Sequence, residues 1–125
     1  MNLIDIKKNI ETFFISNYNI TEIHWAGMKF DTTSRAEWVY FEYIGTSIMD
    51  CGLDNSINNH SGYITVSVVA DTPFRVNEIA SSIIDIFKSK NIEGSIVRNA
   101  NIIEQSYDSE LDKSYMVLNL DVSSS

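Results

Sequence analysis

Residues 23–41 read Ile23-His24-Trp25-Ala26-Gly27-Met28-Lys29-Phe30-Asp31-Thr32-Thr33-Ser34-Arg35-Ala36-Glu37-Trp38-Val39-Tyr40-Phe41. Two aromatic groups stand on either side of a polar break, and Asp31-Thr32-Thr33-Ser34 has the composition of a turn. Before the break, residues 20–25 form a short strand candidate interrupted at Gly27. After it, residues 37–44 give the clearest strand of the chain: Trp38, Tyr40, Glu42 and Ile44 point one way, and Val39, Phe41 and Tyr43 the other. Both sides are largely apolar or aromatic, which suits a strand covered by helices on one side and by a neighbour on the other. Trp25, Phe30, Trp38 and Phe41 have the composition of a ligand cage or a base-stacking platform. A platform needs cations beside it, and only Lys29 and Arg35 are near. The four are therefore read as core, a seam joining the first strands to the helices.

Outward from this stretch the periodicity changes. Leu3, Ile6, Ile10, Phe13 and Phe14 recur at helical spacing with Lys7, Lys8 and Glu11 opposite, so residues 3–16 are predicted as an amphipathic helix. Residues 45–61 are polar and turn-rich and read as one long loop. Residues 63–70 alternate, with Ile64, Val66, Val68 and Ala70 on one face and Tyr63, Thr65, Ser67 and Val69 on a partly exposed one. A helix follows, with Thr72 as N-cap, Pro73 as first helical residue, and Val76, Ile79, Ala80, Ile83, Ile84 and Phe87 as its buried stripe. Lys88 and Lys90 suit its C-terminus. Ile92-Glu93-Gly94-Ser95 turns the chain, residues 96–106 read as a strand and 107–113 as an acidic hairpin tip. In the last strand, residues 114–122, Met116, Leu118, Leu120 and Val122 face in and Tyr115, Asn119 and Asp121 face out. The expected fold is α+β: a mixed, mainly antiparallel sheet of about five strands with two helices packed on one face, in the order α-β-β-β-α-β-β. Residues 1–125 read as one domain, without repeat or linker.

The chain of 125 residues carries 17 acidic and 9 basic side chains, a net charge of −8. That balance argues against general nucleic-acid binding, which relies on Lys and Arg neutralising phosphates, and against an anionic membrane surface. A single cysteine, Cys51, allows no intrachain disulfide and points to a reducing compartment. The first residues lack a secretory pattern, and no apolar run approaches the ~18 residues of a membrane span.

Chemistry-bearing groups are scattered. The two histidines, His24 and His60, lie in different segments with no Cys or carboxylate at ligand spacing. His24 reads as a packed or rim residue beside Trp25, and His60 as a solvated loop end. Cys51 has no flanking cation to activate it, and Gly45, Gly52 and Gly62 are too dispersed to cradle a phosphate. Asp50 and Asp54 do not meet the alternating oxygen pattern of a calcium loop. Neither a catalytic residue nor a bound cofactor or metal is expected, and the chain does not read as an enzyme.

Trp25…Phe30, then Trp38-Val39-Tyr40-Phe41, a long loop, Gly62-Tyr63-Ile64-Thr65-Val66-Ser67-Val68-Val69 and an amphipathic helix ending near Phe87 resemble the tail terminator family of long-tailed bacteriophages. The likeness runs over nearly the whole chain as loose motifs. In two places the sequence departs from the family pattern: Ala26-Gly27-Met28-Lys29 holds no proline, and Asp71-Thr72-Pro73 replaces a glycine-rich turn. Trp25, Phe30, Trp38, Phe41, Ile83 and Phe87 are the core positions that identify the fold by this resemblance. It implies a ring, commonly of six copies, that caps the tail tube, stops its polymerisation and presents a surface for head–tail joining. The implied partners are copies of the chain itself, the tail-tube protein and a head-completion protein. The implied place is the head-proximal end of the tail in the virion, reached through the host cytoplasm during assembly. Contacts are expected from the polar loop, through Asp50, Leu53, Asp54, Asn55, Ile57 and His60, and from the exposed strand positions Tyr63, Thr65 and Tyr115. The alternatives are a head–tail connector or tail-tube subunit of the same particle, or a small ferredoxin-like domain holding a ligand between helices and sheet.

Overall fold

The computed structural model describes residues 3–31, 35–49 and 59–124. Helix α1 (Leu3–Asn17) is followed by β1 (Glu22–Trp25), β2 (Trp38–Met49), β3 (Asn59–Ala70), α2 (Pro73–Phe87), β4 (Asn91–Ile92), β5 (Ser95–Asp108) and β6 (Lys113–Ser124). The strands form one sheet in the order β1-β2-β3-β6-β5-β4, which curls into a half-barrel. Only β1 and β2 run parallel; every other neighbouring pair is antiparallel.

This corrects the expected five-strand sheet and its order. The sixth strand is β4, only Asn91-Ile92, inside what reads as a turn. Glu93 (φ 49) and Gly94 (φ 90) both take positive φ. A two-residue turn of that kind matches the twist of a hairpin and folds Asn91-Ile92 onto Ser95-Ile96. The Asn91 side-chain oxygen accepts the Gly94 N–H at 2.9 Å. The predicted loop 45–61 is also shorter than read. β2 continues to Met49 and β3 begins at Asn59, with a register shift between Gly45 and Ser47. A ladder is made by backbone groups, so polar residues such as Ser47 and Ser61 extend it; the hydroxyl of Thr46, at the register shift, stands 3.3 Å from that of Ser61. Asp50, Leu53, Asp54, Asn55 and Ile57, expected as contact residues, lie outside the described residues.

Both helices pack on the same face of the sheet, here called the inner face. Ile6, Ile10 and Phe14 of α1 and Val76, Ile79, Ile83 and Phe87 of α2 meet alternate residues of β2, β3 and β6 in one buried cluster. At its centre Phe14 stacks on Phe41 (4.5 Å between ring centroids) and on Phe87 (5.6 Å). Offset aromatic pairs of this kind add to the area they bury. Thr72 caps α2, its hydroxyl accepting the Arg75 N–H at 3.2 Å, and Pro73 opens the helix. Tyr43 also lies inward, its ring across Gly62. A Cβ at Gly62 would come to 2.5 Å from the Ile44 carbonyl oxygen and 2.7 Å from the Tyr43 hydroxyl. Only glycine admits that ring.

The opening stretch divides between the two faces of the sheet. The β1–β2 register sets Trp25 opposite Phe41 and His24 opposite Tyr40. Trp25 therefore points inward and packs edge-on against Phe41 and Phe14. Trp38, three residues before Phe41, points outward. It is nonetheless 5% exposed, because the β1–β2 connection folds back and lays Phe30 against it (6.3 Å). Phe30 in turn stacks on His24 (5.1 Å) and carries the Arg35 guanidinium 4.6 Å from its ring centroid. Of the six core positions expected, Trp25, Phe41, Ile83 and Phe87 belong to the inner core. Phe30 and Trp38 make a separate cluster on the outer face, so the aromatics are two seams and not one.

Candidate assembly surface

Among the described residues no helix packs on the outer face. From β2 to β6 it presents Tyr40, Glu42 and Ile44, then Tyr63, Thr65, Ser67 and Val69, then Tyr115, Val117, Asn119 and Asp121, nearly all half-buried by their neighbours. Three tyrosines and the carboxylates of Glu42, Glu104 and Asp121 set its chemistry. The Tyr40 hydroxyl donates to Glu42 at 3.2 Å and the Tyr115 hydroxyl to Glu104 at 2.7 Å. Burial, and then the adjacent Glu42, raise the Tyr40 phenol above its usual range; for Tyr115 the Glu104 hydrogen bond is the main cause. Both phenols stay protonated donors across the physiological range. The surface thus offers phenol hydroxyls beside carboxylates.

Of the described contact residues expected from the sequence, Tyr63, Thr65 and Tyr115 share this face. The ladder places Tyr63 against Asp121 and Tyr115 against Val69, so Tyr63 and Tyr115 lie six ladder steps apart, roughly 20 Å. His60 is not with them. It is 7% exposed, faces inward, and its Nε2 stands 2.9 Å from the Ser95 hydroxyl. Burial depresses its pKa, because the charged form would lose water. The solvated position read from the sequence is corrected: His60 ties β3 to the start of β5. His24, read as a packed or rim residue, is half-buried. Its Nε2 lies 2.9 Å from the Met28 carbonyl oxygen, and since a carbonyl only accepts, that nitrogen carries the proton.

Two features escaped the sequence reading. Arg75 grips Glu37 with two parallel bonds, Nε to Oε2 at 2.7 Å and Nη2 to Oε1 at 2.8 Å, fixing the first turn of α2 to the approach of β2. This bond holds the Glu37 carboxyl below its ordinary value. The residues are 38 apart in sequence, and no short-range signal links them. The second feature is the state of the sheet edges. β1 covers β2 only at Trp38–Phe41, and β4 covers β5 only at Ser95 and Ile96. Among the described residues no strand pairs with the outer side of β2 at 42–49 or of β5 at 98–108. The surface depressions are shallow; one of about 440 Å³ between α1 and β4 is lined by Lys8, Asn9, Thr12, Phe13, Asn91 and Glu93 among others. Among the described residues no three His, Cys, Asp or Glu groups cluster to hold a metal ion, and no helix is long and apolar enough to cross a membrane.

No protein-family model matches the sequence, and no curated protein matches it. A solved protein structure, whose designation states no function, superposes on 94% of this chain and 94% of its own with a TM-score of 0.68 at 12% sequence identity. At that identity the likeness is one of fold.

Proposed function

We propose that the chain is a structural assembly protein that closes the end of a phage tail tube as a ring, ends tube growth and offers a surface for head–tail joining. It works by association and not by catalysis. Its partners are copies of itself, the tube protein and a head-completion protein, and its place is the head-proximal end of the tail. The residue pattern of the tail terminator family motivates the reading. The observation that carries it is that, among the described residues, unlike edges toward opposite ends of the sheet stand unpaired beside an outer face with no helix on it. A ring uses heterologous contacts, in which one surface of each subunit meets a different surface of the next. The β2 and β5 edges are two such surfaces. The acidic balance of the chain, −8, suits a lumen through which DNA passes without adhering.

The test is mass measurement in solution together with negative-stain imaging, on the chain alone and with tail tubes. Discrete rings, alone or on tube tips, are expected. Long tubes of the chain itself would assign it to the tube, and a monomer that ignores tube tips would sink the assembly reading. Neutralising outer-face acids such as Glu42 and Asp121 should slow DNA passage in assembled particles; unchanged ejection would remove the lumen role alone.

A further inference from the structure

His60 joins strands that are not neighbours. β3 and β5 stand on either side of β6. At the end of the sheet where β3 begins and β6 finishes, the ladder sets Ser95 of β5 opposite Ser124. The His60 imidazole reaches past β6 on the inner face to the Ser95 hydroxyl, and its backbone N–H donates to the Ser124 hydroxyl at 3.3 Å. Both His60 and Ser95 are buried, so each depends on the other for its hydrogen bond. β4 hangs from the same point. It pairs only with Ser95 and Ile96, next to the bond from Val97 N–H to the Lys90 carbonyl. Whatever loosens Ser95 therefore loosens β4.

The charged side chains on the surrounding elements face water. Asp5, Lys7 and Lys8 of α1, Asp85 and Lys88 of α2, Lys90 and Glu93 on either side of β4, Arg98 of β5 and Asp121 of β6 are all exposed. Glu11 of α1 is half-buried beside Trp25 and Met28. Arg98 is turned to the Ser123 hydroxyl, 2.7 Å away. β3 carries no charged residue, and β2 carries only Glu42, on the outer face opposite Thr65. Burial is what acts on the His60 ring, and it acts against a second ring proton.

We propose that the His60–Ser95 bridge is an acid-released latch: protonation of His60 parts the start of β5, and β4 with it, from β3, while the helix-covered centre of the sheet stays folded. The driving force is hydration. A charged imidazole can recover water only where the strand ends separate, so the open form takes up the proton first. Opening therefore begins as pH falls below the ordinary histidine value of 6.5, and its equilibrium constant grows by up to about tenfold for each further pH unit. The other histidine, His24, is half-buried on the outer face of β1, at the far edge of the sheet from β4. The latch does not rest on the ring reading, because it describes the free chain.

Nuclear magnetic resonance on the full chain tests it, by following the His60 ring and amide hydrogen exchange in one pH series. Exchange at residues 59–61, 91–97 and 122–124, corrected for its intrinsic pH dependence, should rise about tenfold per pH unit below 6.5, in step with the ring signal. Val66 and Leu118, in the covered centre, should stay protected over the same range. His60→Gln still reaches Ser95 but gains no proton, so it should keep this end closed to about pH 5. Ser95→Ala leaves the imidazole without its partner and should open the same residues already at neutral pH. Acid opening that persists in His60→Gln overturns the latch. So does an end that stays closed while the ring titrates, or one that opens only when Leu118 exchanges as fast, since the whole fold is then being lost. Should His60→Gln fail to fold, the unaltered chain and Ser95→Ala decide: an exchange midpoint apart from that of the ring, or an alanine variant as closed as the parent, overturns it equally.

Discussion

β5 and β6 lie side by side in one ladder, and both carry large aliphatic residues. Leu118 of β6 is fully buried, while its ladder partner Ile102 is 59% exposed. Nothing in the side chains accounts for this. What differs is the cover: α2 packs over β3 and β6, and two helices do not reach across six strands. A residue on the inner face is therefore core only where a helix stands above it, and hydrophobicity alone does not say which strand will be left bare.

The comparison breaks most sharply on truncation. Leu118→Ala should lower stability by about 2–5 kcal/mol, whereas Ile102→Ala, measured in dilute solution, should move it within about 0.5 kcal/mol. Equal losses in chemical denaturation would mean that β5 is covered too. Adding atoms gives the next contrast. Gly62→Ala, in the covered part of the sheet, drives a methyl group into the Ile44 carbonyl and the Tyr43 ring and should cost about 1–3 kcal/mol. Ala100→Ser on the open strand should be near neutral. Thr72→Ala removes the cap of the covering helix and should cost about 1 kcal/mol, with hydrogen exchange accelerating under α2 and little altered at the already open edge of residues 98–108. A smaller effect is set by pH at the covered corner. His60 has a folded pKa below its ordinary 6.5, so its contribution is complete above pH 6.5 and is lost as pH falls below it, when the unfolded chain takes up the proton first. His60→Gln, still able to reach Ser95, should flatten that part of the stability profile; an unchanged profile would place the titration elsewhere.

Much of the covered region was legible in the sequence. The stripe of α2, its Thr72-Pro73 start and the strict alternation of β6 follow from local periodicity, and the structure buries those inward positions, save Ile84, which is half-buried. The aromatic stretch was legible as strand but not as to face. The connection between β1 and β2 leaves their register free, and a shift of one residue exchanges the faces, so the sequence cannot tell that Trp25 turns in and Trp38 out. β4 is too short to carry a pattern, and the ladder ends at 45–49 and 59–61 are built from backbone bonds that polar side chains do not advertise. His60 looked like a loop residue because its partner, Ser95, is 35 residues away. Within the candidate surface, Tyr63, Thr65 and Tyr115 were visible from alternation. The bare edges were not, since an edge is a property of what fails to pair.

Helix α1 touches both β2 and β4, elements near opposite ends of the sheet order, and Phe14 reaches Phe87 at the end of α2. On a ribosome, α1 emerges well before either α2 or β4 exists. Its apolar stripe of Ile6, Ile10 and Phe14 cannot meet all its native neighbours until some seventy further residues are made, counting from Asn17 to Phe87. Early docking on β2 alone would leave the part of that stripe that meets α2 uncovered. The packing of α1 is thus completed only when residues made later come back to meet it.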